Sequence, residues 1–127
     1  MTLRKIHLWF GWLMVLAFVL TGQYMSLVIQ AAMEADATYR FSIRANHVYL
    51  LLFGLAHLLM GAYFQPLEQV SRTRLQQAGS VALLLASLIA LTGFFVEPKV
   101  GAERPLMLAS MIVAVTGTGL HLLAARR

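Results

Sequence analysis

The sequence has no cysteine, and acidic residues are scarce, with five Asp and Glu among 127 residues. Without thiols there can be no disulfide, iron–sulfur cluster or thiolate zinc site. Charged residues of both signs make up only 12% of the chain, where an ordinary soluble domain carries about 25%. No polar stretch is long enough to fold by itself, so residues 1–127 are expected to form one domain. Hydrophobic residues fill the gap, at 60% of the total.

They are concentrated in four long runs. A hydrocarbon core about 30 Å thick takes roughly 20 helical residues to cross, and the runs predict spans over about 6–32, 43–64, 78–96 and 106–125. Their apolar character is continuous, which excludes the alternating pattern of barrel strands. The expected fold is all-α, a four-helix transmembrane bundle running up-down-up-down. The first run follows Arg4 and Lys5 and extends to Ile29. A signal-peptide core is about 7–15 residues, so this one reads as a retained helix. The second span is expected to stop before Pro66, because the residue preceding a proline is driven out of helical geometry. Met33–Phe41 is expected to be a loop, Gln65–Gln77 a polar, basic connection, and a short loop with Gly101 to precede the last span.

The net charge of +5 is a topology signal and not the mark of a nucleic-acid partner. Arg4, Lys5, Arg72, Arg74, Arg126 and Arg127 fall at the two termini and in the middle connection, which share one side of a four-span protein. In the other loops, Arg40, Arg44, Lys99 and Arg104 are balanced by Glu34, Asp36, Glu97 and Glu103. Basic residues stay on the cytoplasmic side. The expectation is an integral protein of a bacterial inner (cytoplasmic) membrane, with N and C termini in the cytoplasm. Trp9, Trp12, Tyr24, Tyr39, Tyr49 and Tyr63 fall mostly near helix ends, as aromatic belts do. Glu97 and Arg104 are expected to pair across the last outer loop.

Histidine is almost the only ionisable side chain inside the spans, and the lack of a deep carboxylate argues against a proton- or cation-coupled transporter. At a rise of about 1.5 Å per residue, His57 and His121 reach similar depths on helices that run the same way. His7 lies nearer the same surface, and His47 stands about 15 Å away at the other end of the second span. Small residues flank the pair: Gly54 and Gly61 around His57, and Ser110, Ala114 and Gly117 around His121. Gly11 follows His7, and Gly79, Ala82, Ala86 and Gly93 mark the third span. Spans two and four face each other diagonally in such a bundle, which would leave room for a flat cofactor between two imidazoles.

In these features the chain resembles the membrane b-type cytochromes, four-helix proteins that hold haem between histidines on different helices. The resemblance covers the whole chain at the level of architecture. It implies haem b ligated by His57 and His121, with His7 a substitute for either. The propionates would lie toward Arg72, Arg74 and Arg126. Two-haem members place two ligands on one helix about four turns apart. His47 and His57 are closer than that, so one haem is expected. Two neutral imidazoles would leave iron no open position, favouring electron transfer over oxygen chemistry. With no nucleophile–base pair or carboxylate dyad in a span, independent catalysis is not expected. The partners of this reading are the lipid bilayer, a membrane redox partner or quinone, and a second copy of the chain in a homo-oligomer.

Two other classes fit the residues. Glycine and alanine faces also serve plain helix packing in lipid, where a histidine hydrogen-bonds across the interface. The chain would then be a cofactor-free accessory or assembly subunit of a larger membrane complex. Alternatively, Met107 and Met111 are one helical turn apart, and soft thioethers suit Cu(I). That spacing resembles the pore motif of the high-affinity copper transporters and would make the chain a copper or small-solute carrier. A faint internal repeat is also present: Leu20-Thr21-Gly22 against Leu91-Thr92-Gly93, and His57-Leu58-Leu59 against His121-Leu122-Leu123.

Overall fold

The computed structural model describes residues 2–99 and 103–126. Gly101 of the last loop and Arg127 of the basic C-terminus lie outside them. The described residues are helical almost throughout: α1 (Leu3–Leu27), α2 (Gln30–Ala35), α3 (Ala37–Tyr63), α4 (Val70–Val96), a 3-10 turn (Glu97–Lys99) and α5 (Pro105–Ala125). Among these, α1, α3, the α4 segment and α5 are long and apolar enough to cross a membrane.

The boundaries differ from expectation at two polar segments. The first apolar run does not stay helical to residue 32. It breaks after Leu27, where the N–H groups of Val28 and Ile29 both donate to the Tyr24 carbonyl, at 2.9 and 3.3 Å. The break lets Ile29 and Met33 turn inward and be buried. The expected loop Met33–Phe41 is therefore mostly helix. Asp36 separates α2 from α3 and caps α3, its carboxylate accepting from the N–H of Thr38 at 2.8 Å and of Tyr39 at 3.1 Å. An Asp in that position satisfies two amides that the helix itself leaves unpaired. Likewise α4 starts at Val70, well inside the polar connection, because Thr73 and Gln76 turn toward the preceding chain. Thr73 donates to the Leu67 carbonyl at 2.7 Å, and Gln76 to that of Gln65 at 2.8 Å. The end of α3 at Tyr63 and the start of α5 at Pro105 fall where proline chemistry puts them.

The four long helices form two tight pairs, α1 with α3 and α4 with α5, which meet mainly where α3 crosses α4. Within the first pair Leu8 lies against Gly61, Gly11 against Leu58 and Val15 against Gly54, an antiparallel register. A Cβ on Gly61 would stand 2.6 Å from Leu8 Cγ and 2.9 Å from its backbone nitrogen. In the second pair Gly79 meets Gly117, and a Cβ on Gly79 would lie 2.7 Å from the Gly117 carbonyl oxygen. Small residues thus bring backbones together where lipid offers no hydrophobic drive. Outward faces remain apolar, with Trp12, Leu16, Leu20, Leu52, Leu59, Leu85, Leu108 and Val115 all exposed. Such faces suit hydrocarbon and not water.

Between the pairs lies a core of Met14, Leu50, Phe53, Ala86, Ala90, Phe94 and Met107. By register it separates two polar layers: His7, His57, Ser80 and Ser87 at the end where α1 begins, and Thr21, Asn46 and Glu97 at the other.

Candidate functional site

The first layer is built from three helices that each contribute side chains by spacing. On α1 the buried positions are His7, Gly11, Met14, Thr21 and Met25, one stripe at helical period. His7 is the first member of that stripe and is 0% exposed. His57 projects from the buried face of α3 one turn before Gly61, and is 1% exposed. Ser80 and Ser87 are two turns apart on the inward face of α4, both fully buried.

These groups bond in an unbroken series. His7 and His57 meet through their Nδ1 atoms at 2.7 Å, with rings 5.0 Å apart and 26° from parallel. His7 Nε2 lies 3.0 Å from Ser80 Oγ, and His57 Nε2 2.9 Å from Ser87 Oγ. Ser80 Oγ is also 3.3 Å from His121 Nε2. His7 meets the His121 ring edge-on at 6.3 Å, so the expected partners His57 and His121 are linked through His7. Phe10 packs edge-on against His57 at 5.0 Å, and Phe64 approaches both His7 and His121.

The bonding fixes where the protons are when the rings are neutral. Ser87 donates its hydroxyl proton to the Leu83 carbonyl at 2.9 Å, so it must accept from His57 Nε2–H. His57 Nδ1 is then bare and accepts from His7 Nδ1–H. His7 Nε2 accepts in turn from the Ser80 hydroxyl, and Ser80 oxygen accepts from His121 Nε2–H. Each neutral imidazole has one donor and one acceptor nitrogen, and this order uses both nitrogens of His7 and of His57 once and the Nε2 of His121. The tautomers are thus assigned from the partners.

The layer opens at one end. His121 is half-buried and lines a cavity of about 520 Å³ with Met60, Tyr63, Phe64, Arg72 and Gln76 among its walls. Arg72 caps the end of α5, donating through Nε to the Ala124 carbonyl at 2.8 Å and through a terminal nitrogen to the Arg126 carbonyl. A cation there also opposes the negative end of the helix dipole. Arg126 takes part through its carbonyl, and its side chain, like that of Arg74, is exposed.

The fit of haem to these residues can be tested on the distances. Iron between two imidazoles needs ligating nitrogens roughly 4 Å apart, twice a metal–imidazole bond of about 2 Å. The substitute pair His7 and His57 is closer than that and hydrogen-bonded together, and the expected pair His57 and His121 has His7 and Ser80 between its members. Gly54 and Gly61, expected to make room beside His57, are filled by Val15 and Leu8, and Gly117 by Gly79, Ala82 and Leu83. As packed, the helices leave no slot for a macrocycle between His7 and His57. Among the described residues no group of three His, Asp or Glu is placed to hold a metal ion.

The second layer centres on Asn46, which sequence reasoning passed over. Asn46, fully buried, donates to the Gly93 carbonyl and to Glu97 Oε2, both at 3.1 Å. Arg104 donates to Asn46 Oδ1 at 3.0 Å through Nε and 2.6 Å through a terminal nitrogen, and lies over the Tyr49 ring. The expected Glu97–Arg104 pair is thus bridged by Asn46. Glu97 is not in an exposed loop but 2% exposed, and its Oε1 accepts from the Met107 N–H at 2.9 Å. It caps α5 from another helix, which favours a carboxylate there. His47 bonds Thr21 at 3.0 Å and stacks on Phe18 at 4.2 Å. Met107 is buried, its sulfur accepting from Ser110, while Met111 is only partly buried.

Comparison with family models, curated proteins and solved structures finds no match to this chain.

Proposed function

We propose that the chain is an integral membrane protein that relays protons through its buried histidines, from the face bearing both termini toward the middle of the bilayer. The basic residues gathered at that face favour the cytoplasm as its side. The observation that supports the reading is the continuous series His121–Ser80–His7–His57–Ser87, buried except where His121 meets the cavity. Ionisable groups are costly inside a bilayer, and chains of them mark proton pathways.

The relay is balanced at each hop. A proton reaching His121 Nδ1 from the cavity releases the Nε2 proton to Ser80 oxygen. Ser80 gives its own proton to His7 Nε2, and His7 gives its Nδ1 proton to His57 Nδ1. Only N–H and O–H bonds exchange, every donor becomes an acceptor, and one positive charge ends on His57. Among the described residues no carboxylate contacts His57 to hold that charge, and His57 is 1% exposed, so the relay lends a proton and returns it by the same hops to the cavity. A partner that took the proton would meet His121 at the cavity, consistent with an accessory subunit of a larger complex.

The tautomer of His7 tests this. In protein labelled with ¹⁵N-histidine, acidification should protonate both His57 nitrogens and switch His7 from Nδ1–H to Nε2–H, read from the ring ¹⁵N shifts. Ser80→Ala should abolish the switch while His121 still takes up its proton. A native His7 that keeps its Nδ1–H throughout would end the relay reading.

A haem-bearing b-type cytochrome is the second reading, favoured by three imidazoles from three spans converging at one end. It requires His57 and His121 to part from His7 and Ser80. A Soret band that shifts on dithionite reduction, lost in His57→Ala and His121→Ala, would establish it. A colourless preparation from haem-replete cells would remove it.

A further inference from the structure

Beside the relay's cavity lies a second one, of about 540 Å³, between the first turns of α1 and the non-helical chain that joins α3 to α4. Its apolar walls are Leu3, Leu8, Phe64, Pro66 and Leu67, and its charged lining residues are Arg4 and Lys5. No carboxylate lines it; Glu68 is on the same connecting chain but exposed and outside the lining. The walls are held in place: Thr73 and Gln76 bond the connecting chain from α4, and Arg4 Nε donates to the Gly61 carbonyl at 3.3 Å. The cavity is lined by the first turns of α1, and the exposed Trp9, Trp12 and Leu16 follow on the same helix within about two turns of Leu8.

An occupant must satisfy both halves of this arrangement. It needs an anionic group for Arg4 and Lys5 and hydrocarbon that continues along the outside of α1. We infer that the cavity is a binding site for the phosphate headgroup of an anionic phospholipid, with its acyl chains lying against Trp9 and Trp12. Charge complementarity decides this over a neutral lipid. A zwitterionic headgroup would bring a cation against two others with no carboxylate to receive it. Basic pockets between helices at a membrane surface bind anionic headgroups in this way.

The two tryptophans provide the readout, as they are the only ones in the chain. The protein is reconstituted in phosphatidylcholine vesicles containing a small fraction of either brominated phosphatidylglycerol or brominated phosphatidylcholine, whose bromines quench tryptophan on contact. Brominated phosphatidylglycerol should quench strongly at fractions where brominated phosphatidylcholine does not. The double variant Arg4→Gln/Lys5→Gln should weaken that preference on the order of tenfold. Arg74→Gln, which removes an exposed charge at the same end outside either cavity, should retain it. Inorganic phosphate should not compete, since it lacks the chains. Equal loss in Arg74→Gln would show general surface attraction, and equal quenching by the two lipids would show no site; either overturns the inference. Helical content by circular dichroism confirms that each variant is folded.

Discussion

His7 and His57, both buried, share one hydrogen bond between like atoms, Nδ1 to Nδ1 at 2.7 Å. Such a contact needs one ring to donate and the other to accept, so the two can never both be protonated while it persists. Two elements that lie 50 positions apart in sequence are thereby locked to one proton.

The first consequence is for stability. Replacing His7 with Phe leaves His57 Nδ1 without a partner and the Ser80 hydroxyl proton without its acceptor, and a buried group left unpaired costs about 1–3 kcal/mol. His57→Phe likewise strands the His7 Nδ1–H and leaves Ser87 only its bond to Leu83. The double variant His7→Phe/His57→Phe removes both ends of the bond and should cost clearly less than the sum. Thermal unfolding of the four proteins in one detergent gives the coupling. Strict additivity would mean that the pair is not bonded, since residues in one network couple by about 0.5–3 kcal/mol.

A second consequence concerns tautomers. Because Ser87 spends its proton on Leu83, His57 should be protonated on Nε2 and His7 on Nδ1, two different tautomers in one pair. The ¹⁵N shifts of the ring nitrogens distinguish them directly. In Ser87→Ala the constraint disappears, and both orders of the pair should be populated. Identical tautomers on His7 and His57 in the native protein would contradict the assigned order.

The glycines give a third test, with its own control. Gly61→Ala would place a methyl against Leu8 backbone and side chain. Neither helix can yield without repacking, and overpacking costs typically about 1–3 kcal/mol. Gly119 has nothing within 4 Å of its would-be Cβ. Gly119→Ala should therefore be neutral or slightly stabilising, since alanine is the better helix former by about 1 kcal/mol. A similar loss in both would mean that glycine at 61 serves something other than close approach.

The spans were legible because length and hydropathy are summed over many residues, and Pro66 and Pro105 punctuate them independently of tertiary contacts. What could not be read was azimuth. Histidine depth follows from counting residues, but whether His57 faces His121 or His7 depends on which helices pair tightly. Gly61 and Gly54 read from the sequence as room beside His57, with plain helix packing as the alternative; Leu8 and Val15 occupy that room. Ser80 and Ser87 carried a usable signal, two hydroxyls two turns apart on an apolar helix. Asp36 was a cap hidden in what looked like a loop. The repeat likewise stays a matter of sequence: His57 and His121, equivalent by pattern, sit in a sealed layer and at a cavity edge respectively.

The final prediction addresses the far layer, where one carboxylate answers to two helices. Glu97 accepts from Asn46 on α3 and from the Met107 amide at the start of α5, while Arg104 reaches Asn46 from the other side. Glu97→Gln preserves size but turns charge-assisted bonds into neutral ones, which are roughly half as strong. The expected loss is about 1–2 kcal/mol, partly offset because the amide still accepts one of the two bonds. Asn46→Leu is the harsher change: it removes the bridge and leaves Glu97 and Arg104 facing an apolar side chain in a buried site. It should cost more than Glu97→Gln, by about 2 kcal/mol or more, and the pair of changes should be strongly non-additive. Because the layer lies about 16 Å from the histidines along α3, neither variant should alter the ring ¹⁵N shifts of His57. A change there would show that the two layers communicate through the Leu50–Phe53 core, and that the bundle responds as one unit to events at either end.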